Sequence, residues 1–158
     1  MAVEKVKEAF RAIGMEDRIH EFDQSSATVE LAAEAVGCAP AQIVKTLSFH
    51  VGDDVVLVAC AGDARIDNQK FKSYFGTKAK MLKADEAEPL IGHGVGGVCP
   101  FAVNDGVRVY LDNTIKRFDE VYPAAGSSNS AAYLTPGELE MCSAPCTWVD
   151  VCKLPAAE

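Results

Sequence analysis

One lysine, Lys45, interrupts the apolar stretch "IVKTLSFHV" at residues 43–51. In an extended strand side chains alternate, so Ile43, Lys45, Leu47, Phe49 and Val51 share a face that is apolar except for this ammonium. An unpartnered buried charge is costly. Two readings stand: Lys45 lies at the strand's frayed start and snorkels to water, or it is held at a pocket rim to meet an anion or a polarised carbonyl. A second stretch, "GHGVGGVCPFAVNDGV" at 92–107, holds five glycines and a proline. Such a loop either turns the chain or presents bare amides to an oxyanion or carbonyl oxygen. It contains neither G-x-x-x-x-G-K-[ST] nor a strand-GxGxxG-helix unit, so nucleotide-binding fingerprints are absent.

Other reactive side chains form no recognisable machinery. His20, His50 and His93 lack metal-pair spacing, and no serine sits in a G-x-S-x-G elbow. His93, beside the glycine loop, is the one of interest. Cys99 precedes Pro100 without an identifiable base, which favours a small packing residue over a nucleophile. The six cysteines are spaced for free thiols in a reducing compartment, and "CSAPC" with Cys152 lacks the four ligands of a closed zinc site. No metal site is predicted. "AAGSSNSAAY" at 124–133 is a second small-residue loop that either binds a ligand or only turns.

The elements that must position these residues are legible from periodicity. Val3, Val6, Phe10 and Ile13 predict a helix stopped at Gly14. A second helix begins after Ser25-Ser26, with a stripe of Val29, Ala32, Ala33 and Val36 ending at Gly37. "APAQIVKTLSFHV" reads as a turn into a strand, and "VVLVACA" at 55–61 as a central strand. Asp67 caps a helix through Phe75 with Gly76 as its stop. "TKAKML" predicts a short strand and "ADEAEPLIG" a short helix. Asp105-Gly106 predicts a hairpin into a strand carrying Val107, Val109 and Leu111; more short strands follow near "FDEVYPA", "AAYL" and "TWVDV". The whole chain, 1–158, reads as one α/β domain with a mixed sheet.

With 158 residues, 49% of them hydrophobic, the chain can bury a sizeable core. No apolar run approaches the ~18 residues of a membrane span. The opening "MAVEKVKEAF" carries Glu4 and Glu8 and no apolar signal stretch, so a cytoplasmic location is expected. A net charge of −8 argues against a nucleic-acid coat protein. Yet Arg65, Lys70, Lys72, Lys78, Lys80 and Lys83 crowd residues 65–83, as a solvated face or a local basic patch.

"TVELAAEAVGCAPAQIVKTLSF", "GDARIDNQKF", "GHGVGGVCPFAV", "VYLD" and "AAGSSNSAAYLTPGEL" occur in this order, and the set resembles the YbaK/ProX family of aminoacyl-tRNA deacylases, relatives of the editing domain of bacterial prolyl-tRNA synthetases. The resemblance implies a highly curved, barrel-like mixed sheet with flanking helices. It implies hydrolysis of the ester joining a wrong amino acid, such as Ala or Cys on tRNA-Pro, to the terminal adenosine. It places Lys45, Gly96 and Gly97 in the catalytic role, and Gly62, Asp63, Gly94, Val98, Cys99, Pro100, Gly126 and Ser127 in substrate binding. The implied partners are aminoacylated tRNA and prolyl-tRNA synthetase, with no cofactor, membrane or DNA. The sequence departs from the family pattern at Cys99, where a small polar residue is common, and at Ala102, where glycine is frequent. It also departs at "GSSNS", which lacks an arginine-glycine pair. The alternative is a non-catalytic tRNA or synthetase adaptor with the same fold.

Overall fold

In the computed structural model, which describes residues 2–155, the N-terminal periodicity forms helix α1 (Ala2–Arg11), burying Val3, Val6 and Phe10. The helix stops short of Ile13, which is 46% exposed and so lies outside the predicted stripe. Strand β1 (Ile19–Glu21) leads to α2 (Val29–Val36). Its cap is Thr28, whose hydroxyl accepts from the Leu31 N–H at 3.2 Å, and Gly37 closes it in the left-handed region. A 3-10 turn over Pro40–Gln42 feeds β2 (Ile43–Val51), which returns antiparallel as β3 (Asp54–Ala61).

A two-residue strand that the sequence did not announce, β4 (Arg65–Ile66), precedes α3 (Asn68–Phe75). There the Asp67 carboxylate accepts from the Gln69 and Lys70 amides and Gly76 is the left-handed stop, as expected. Helix α4 (Ala84–Ile91), strands β5 (Arg108–Asp112), β6 (Tyr122–Pro123) and β7 (Ser130–Ala132), helix α5 (Pro136–Ser143), and strands β8 (Cys146–Val149) and β9 (Cys152–Lys153) complete the order.

Five strands run β6-β2-β3-β5-β8 in a curled, half-barrel sheet; β2 and β3 are antiparallel and the other pairs parallel. β1 pairs with β7, and β4 with β9. β3 is central and buried on both faces, which explains its unbroken apolar composition. On one face Leu57, Ala59, Val109 and Leu111 pack with Phe10 and Phe101, whose rings meet edge to face at 5.0 Å. On the other, Val56, Val58 and Tyr110 pack with Phe49 and Phe71.

Two strand expectations are corrected. Asp105-Gly106 does turn, with Gly106 at φ 88°, but makes no hairpin: β5 pairs in parallel with β3 and β8, because the residues before the turn form loop rather than strand. "TKAKML" is not a regular strand. Met81 alone bridges to Phe49, flanked by bonds from His50 N to Lys80 O and from Leu82 N to Ser48 O. No helix among the described residues is long and apolar enough to cross a membrane.

Candidate active site

Between β2, α2, the glycine loop and the 77–83 segment lies a cleft of about 370 Å³. Lys45 lines it, half-buried, together with Val95, Gly96 and Val98 of the glycine loop. Lys45 Nζ donates to Gly62 O at 3.4 Å. An ammonium has three donors, so the remainder stay available to a ligand. β6 is registered only against Ile43 and Val44, and the Met81 bridge lies at Phe49, so no strand is registered on that edge against 45–47 among the described residues. Lys45 sits in that gap.

The glycine loop works by alternation. Gly96 and Val98 face the cleft, whereas Gly97, Cys99 and Pro100 are buried on the opposite side. A Cβ at Gly97 would lie 2.6 Å from both Gly126 C and Ser127 N, so the two loops touch backbone to backbone there. The Gly97 amide donates to Gly94 O at 3.0 Å and is thereby consumed in the turn. The amides of Gly96 and Val98 have no protein partner among the described residues.

Accordingly, of the eleven residues singled out from sequence, Lys45, Gly96 and Val98 line the cleft and the other eight do not. Cys99 is wholly buried with its thiol 3.6 Å from His93 Nε2, and burial pushes its pKa up to about 12. The side chain expected to touch substrate is therefore an un-ionised packing group. His93, equally buried, has Nε2 2.6 Å from Phe101 O, and desolvation holds its pKa below the ordinary value. It pins the end of the loop as a neutral imidazole. Gly126, at φ 96°, packs against the backbone of Ala2 and Val3. Ser127 Oγ lies 2.9 Å from Asn129 Oδ1 and 2.7 Å from Ser130 Oγ, inside its own loop.

The Gly62-Asp63 turn is set from behind. A Cβ at Gly62 would lie 2.0 Å from Pro40 O, so only glycine fits beneath Lys45. Asp63 is not directed at the cleft: its carboxylate binds Arg117 at 2.6 and 3.3 Å. Arg117 Nε also donates to Thr114 O, and Thr114 Oγ1 accepts from Ala61 N at 3.2 Å. The fully buried Asp112 holds Thr114 N and Val151 N, each at 2.9 Å. This chain fixes the carbonyl that meets Lys45.

Ser130, in the 124–133 loop read as a ligand binder or a turn, lines the cleft; sequence reasoning missed its other hydroxyls, Ser26, Thr28, Thr46, Ser48 and Tyr122. Thr46 follows Lys45 directly, and its buried Oγ1 has no protein partner among the described residues. Alternation on β2 could have found it; Tyr122 comes from a distant strand and carried no local signal. Tyr122 donates to Glu120 Oε1 at 2.8 Å, and desolvation raises its pKa, keeping the phenol protonated. In a chain of net charge −8, the cleft is lined by two lysines, Lys45 and Lys83, and by no carboxylate, histidine or cysteine among the described residues. Such walls can hold an anion or stabilise negative charge on a carbonyl oxygen, and they offer hydroxyls and amides in place of a strong base.

The sequence profile of the aminoacyl-tRNA editing domain matches residues 23–142. The chain belongs to that family. An uncharacterised Bacillus subtilis (strain 168) protein, YwhH, is 48% identical over 154 residues, spanning 97% of this chain and 98% of its own length. The proline--tRNA ligase of Streptococcus equi subsp. equi (strain 4047) is 26% identical over 136 residues; these are 85% of this chain but only 22% of the ligase. A solved structure described as a candidate trans-editing enzyme for prolyl tRNA synthetase superposes with a TM-score of 0.86 at 28% identity, covering 96% of this chain and 97% of that one. The editing-domain match spans β2 with Lys45, the glycine loop and the loop around Gly126, so the cleft lies within the family's shared region.

Proposed function

We propose that this editing-domain protein is a trans-acting deacylase that hydrolyses the ester of a mischarged tRNA, a small amino acid such as Ala or Cys on tRNA-Pro, in concert with prolyl-tRNA synthetase. The observation that carries the reading is that Lys45 and Gly96 line one cleft with no carboxylate among its described lining residues. Ester hydrolysis develops negative charge on the carbonyl oxygen. The Gly96 and Val98 amides supply preorganised donors for it, and one such donor is worth ~2.7–4 kcal/mol in mapped oxyanion holes. Lys45 holds the terminal phosphate or hydroxyl and fixes the ester in place. With no histidine, carboxylate or cysteine among the described residues lining the cleft to activate one of its hydroxyls, the attacking group is water oriented by the substrate's own 2′-hydroxyl, or a side chain of the substrate.

The cleft acts as a sieve, since one methylene is worth only ~1–3 kcal/mol in a single binding step and a second, smaller compartment is needed to discard near-cognate residues. The test is release of amino acid from Ala-, Cys- and Ser-charged tRNA by wild type and Lys45→Ala. Lys45→Ala is expected to lose about 10²-fold or more in rate, the scale of one preorganised donor. Equal rates in the two proteins would remove Lys45 from the mechanism. Binding of tRNA without turnover on any charged species would leave an adaptor.

A further inference from the structure

Thr46 lines the cleft with a buried Oγ1 that has no hydrogen-bond partner among the described residues. Buried polar groups are nearly always paired, so an orphan inside a ligand cleft marks where a ligand's own polar group belongs. Alternation along β2 sets Val44, Thr46 and Ser48 on one face, and all three line the cleft. The β3 residues registered opposite the two hydroxyls are Ala59 and Leu57, both wholly buried and apolar. Neither side chain can satisfy a hydroxyl. Leu82, Ala87 and Val98 continue the apolar lining.

Four other hydroxyls of the cleft are already engaged within the protein. Ser26 Oγ donates to Ser130 O at 3.4 Å, and Thr28 Oγ1 accepts from Leu31 N at 3.2 Å. Ser130 Oγ accepts from Ser127 Oγ at 2.7 Å, and the Tyr122 phenol donates to Glu120. Thr46, followed by Ser48, is thus the polar spot on an otherwise apolar wall.

We propose that this wall is a hydroxyl-recognising subsite, in which Thr46 Oγ1 hydrogen-bonds the side-chain hydroxyl of the amino acid, so that a serine ester is discharged in preference to an alanine ester. The inference rests on the deacylase reading and narrows its small amino acid to one bearing a hydroxyl. Chemistry selects that class. A threonine hydroxyl both donates and accepts, and another hydroxyl can meet it in either sense. Alanine offers no polar atom and leaves the orphan unpaired. A site built to hydrogen-bond a hydroxyl rejects an analogue lacking one more strongly than an apolar pocket rejects a missing methylene. A thiol is weak both as donor and as acceptor. A carboxylate would be desolvated against the apolar wall around Thr46, and an ammonium would also meet Lys45 and Lys83.

The experiment makes two measurements on wild type, Thr46→Val and Thr46→Ser. The first is equilibrium binding of the seryl and alanyl amides of 3′-amino-3′-deoxyadenosine, which mimic the aminoacyl end without a cleavable ester. The second is kcat/KM for serine- and alanine-charged tRNA-Pro. Wild type is expected to prefer the seryl species about tenfold or more in both, the scale of one hydrogen bond that would otherwise go unmade. Thr46→Val keeps the shape of the side chain without its hydroxyl and should bring the seryl-to-alanyl ratio close to one. Thr46→Ser should restore most of the preference. The ratio does not move when a variant merely loses folded protein, because both ligands meet the same sample. Equal wild-type affinity for the two amides, binding of neither, or an unchanged ratio in Thr46→Val would overturn the subsite. Equal hydrolysis of the two charged tRNAs would overturn the hydroxyl preference and keep the deacylase reading. A Thr46-dependent preference for the seryl amide in a protein that hydrolyses no charged tRNA would keep the subsite and remove the deacylase reading.

Discussion

Gly97 and Ala102 show how narrowly single positions in the glycine loop are constrained. Gly97 touches the backbone of the 126–127 loop, and an added methyl would lie 2.6 Å from two main-chain atoms that no rotamer change can move aside. Gly97→Ala should therefore cost about 1–3 kcal/mol in denaturant unfolding, the usual scale of overpacking. It should also lower deacylation, because the loop that shifts carries the Gly96 amide. Ala102 has the opposite problem. It sits at φ 51°, in the left-handed region that disfavours a side chain. Ala102→Gly should raise stability by up to about 1 kcal/mol, the left-handed penalty less glycine's entropy; an unchanged or lower midpoint would contradict this. Lys45 was legible because period-2 alternation exposed a charge on an apolar face. The inward turn of Gly97 and Cys99 was not, since a run of glycines carries no pattern to show which face is which.

Among the elements, helices with strong end signals were the most legible. Asp67 and Gly76 bracket α3 as read from sequence, and Gly37 and Gly92 end α2 and α4. Helix α5 carries no periodic signal, because its apolar residues do not line one face, although its start carries a capping box. Thr135 Oγ1 accepts from Glu138 N at 3.1 Å and Glu138 Oε1 accepts from Thr135 N at 2.9 Å. Thr135→Ala should cost about 0.5–2 kcal/mol in thermal or denaturant unfolding. The effect should fall mainly on stability, since α5 does not line the cleft. The predicted hairpin at Asp105-Gly106 failed for a different reason. A turn signal reports a local backbone reversal, whereas pairing partners are chosen by the sheet, and here β3 and β8 won both edges of β5.

The whole molecule couples its core to the cleft through buried polar groups. His93 lies at the base of the glycine loop, and burial holds its pKa below the ordinary 6.5. The unfolded chain therefore takes up this proton first as pH falls. The stability that His93 contributes is present above 6.5 and is lost as pH drops from there through its lower folded value. Wild-type stability should decline as pH falls below about 7, by at most about 1.4 kcal/mol per pH unit from this one group. His93→Gln, which keeps a donor for Phe101 O, should have a flatter profile in urea titrations across that range. Parallel profiles would assign the decline to other groups.

The order of helices and strands, the isolated lysine and the glycine-rich loop were determined by the sequence itself, since each depends on spacing within a few residues or on one side chain's conformational limits. Tertiary structure alone decided which strands pair in parallel, which side of the loop faces inward, and that Asp63 serves Arg117 rather than the cleft. It also decided that Tyr122 and Ser130 stand near Lys45. These outcomes depend on contacts between residues far apart in the chain, where packing and loop closure, rather than local preference, set the energy.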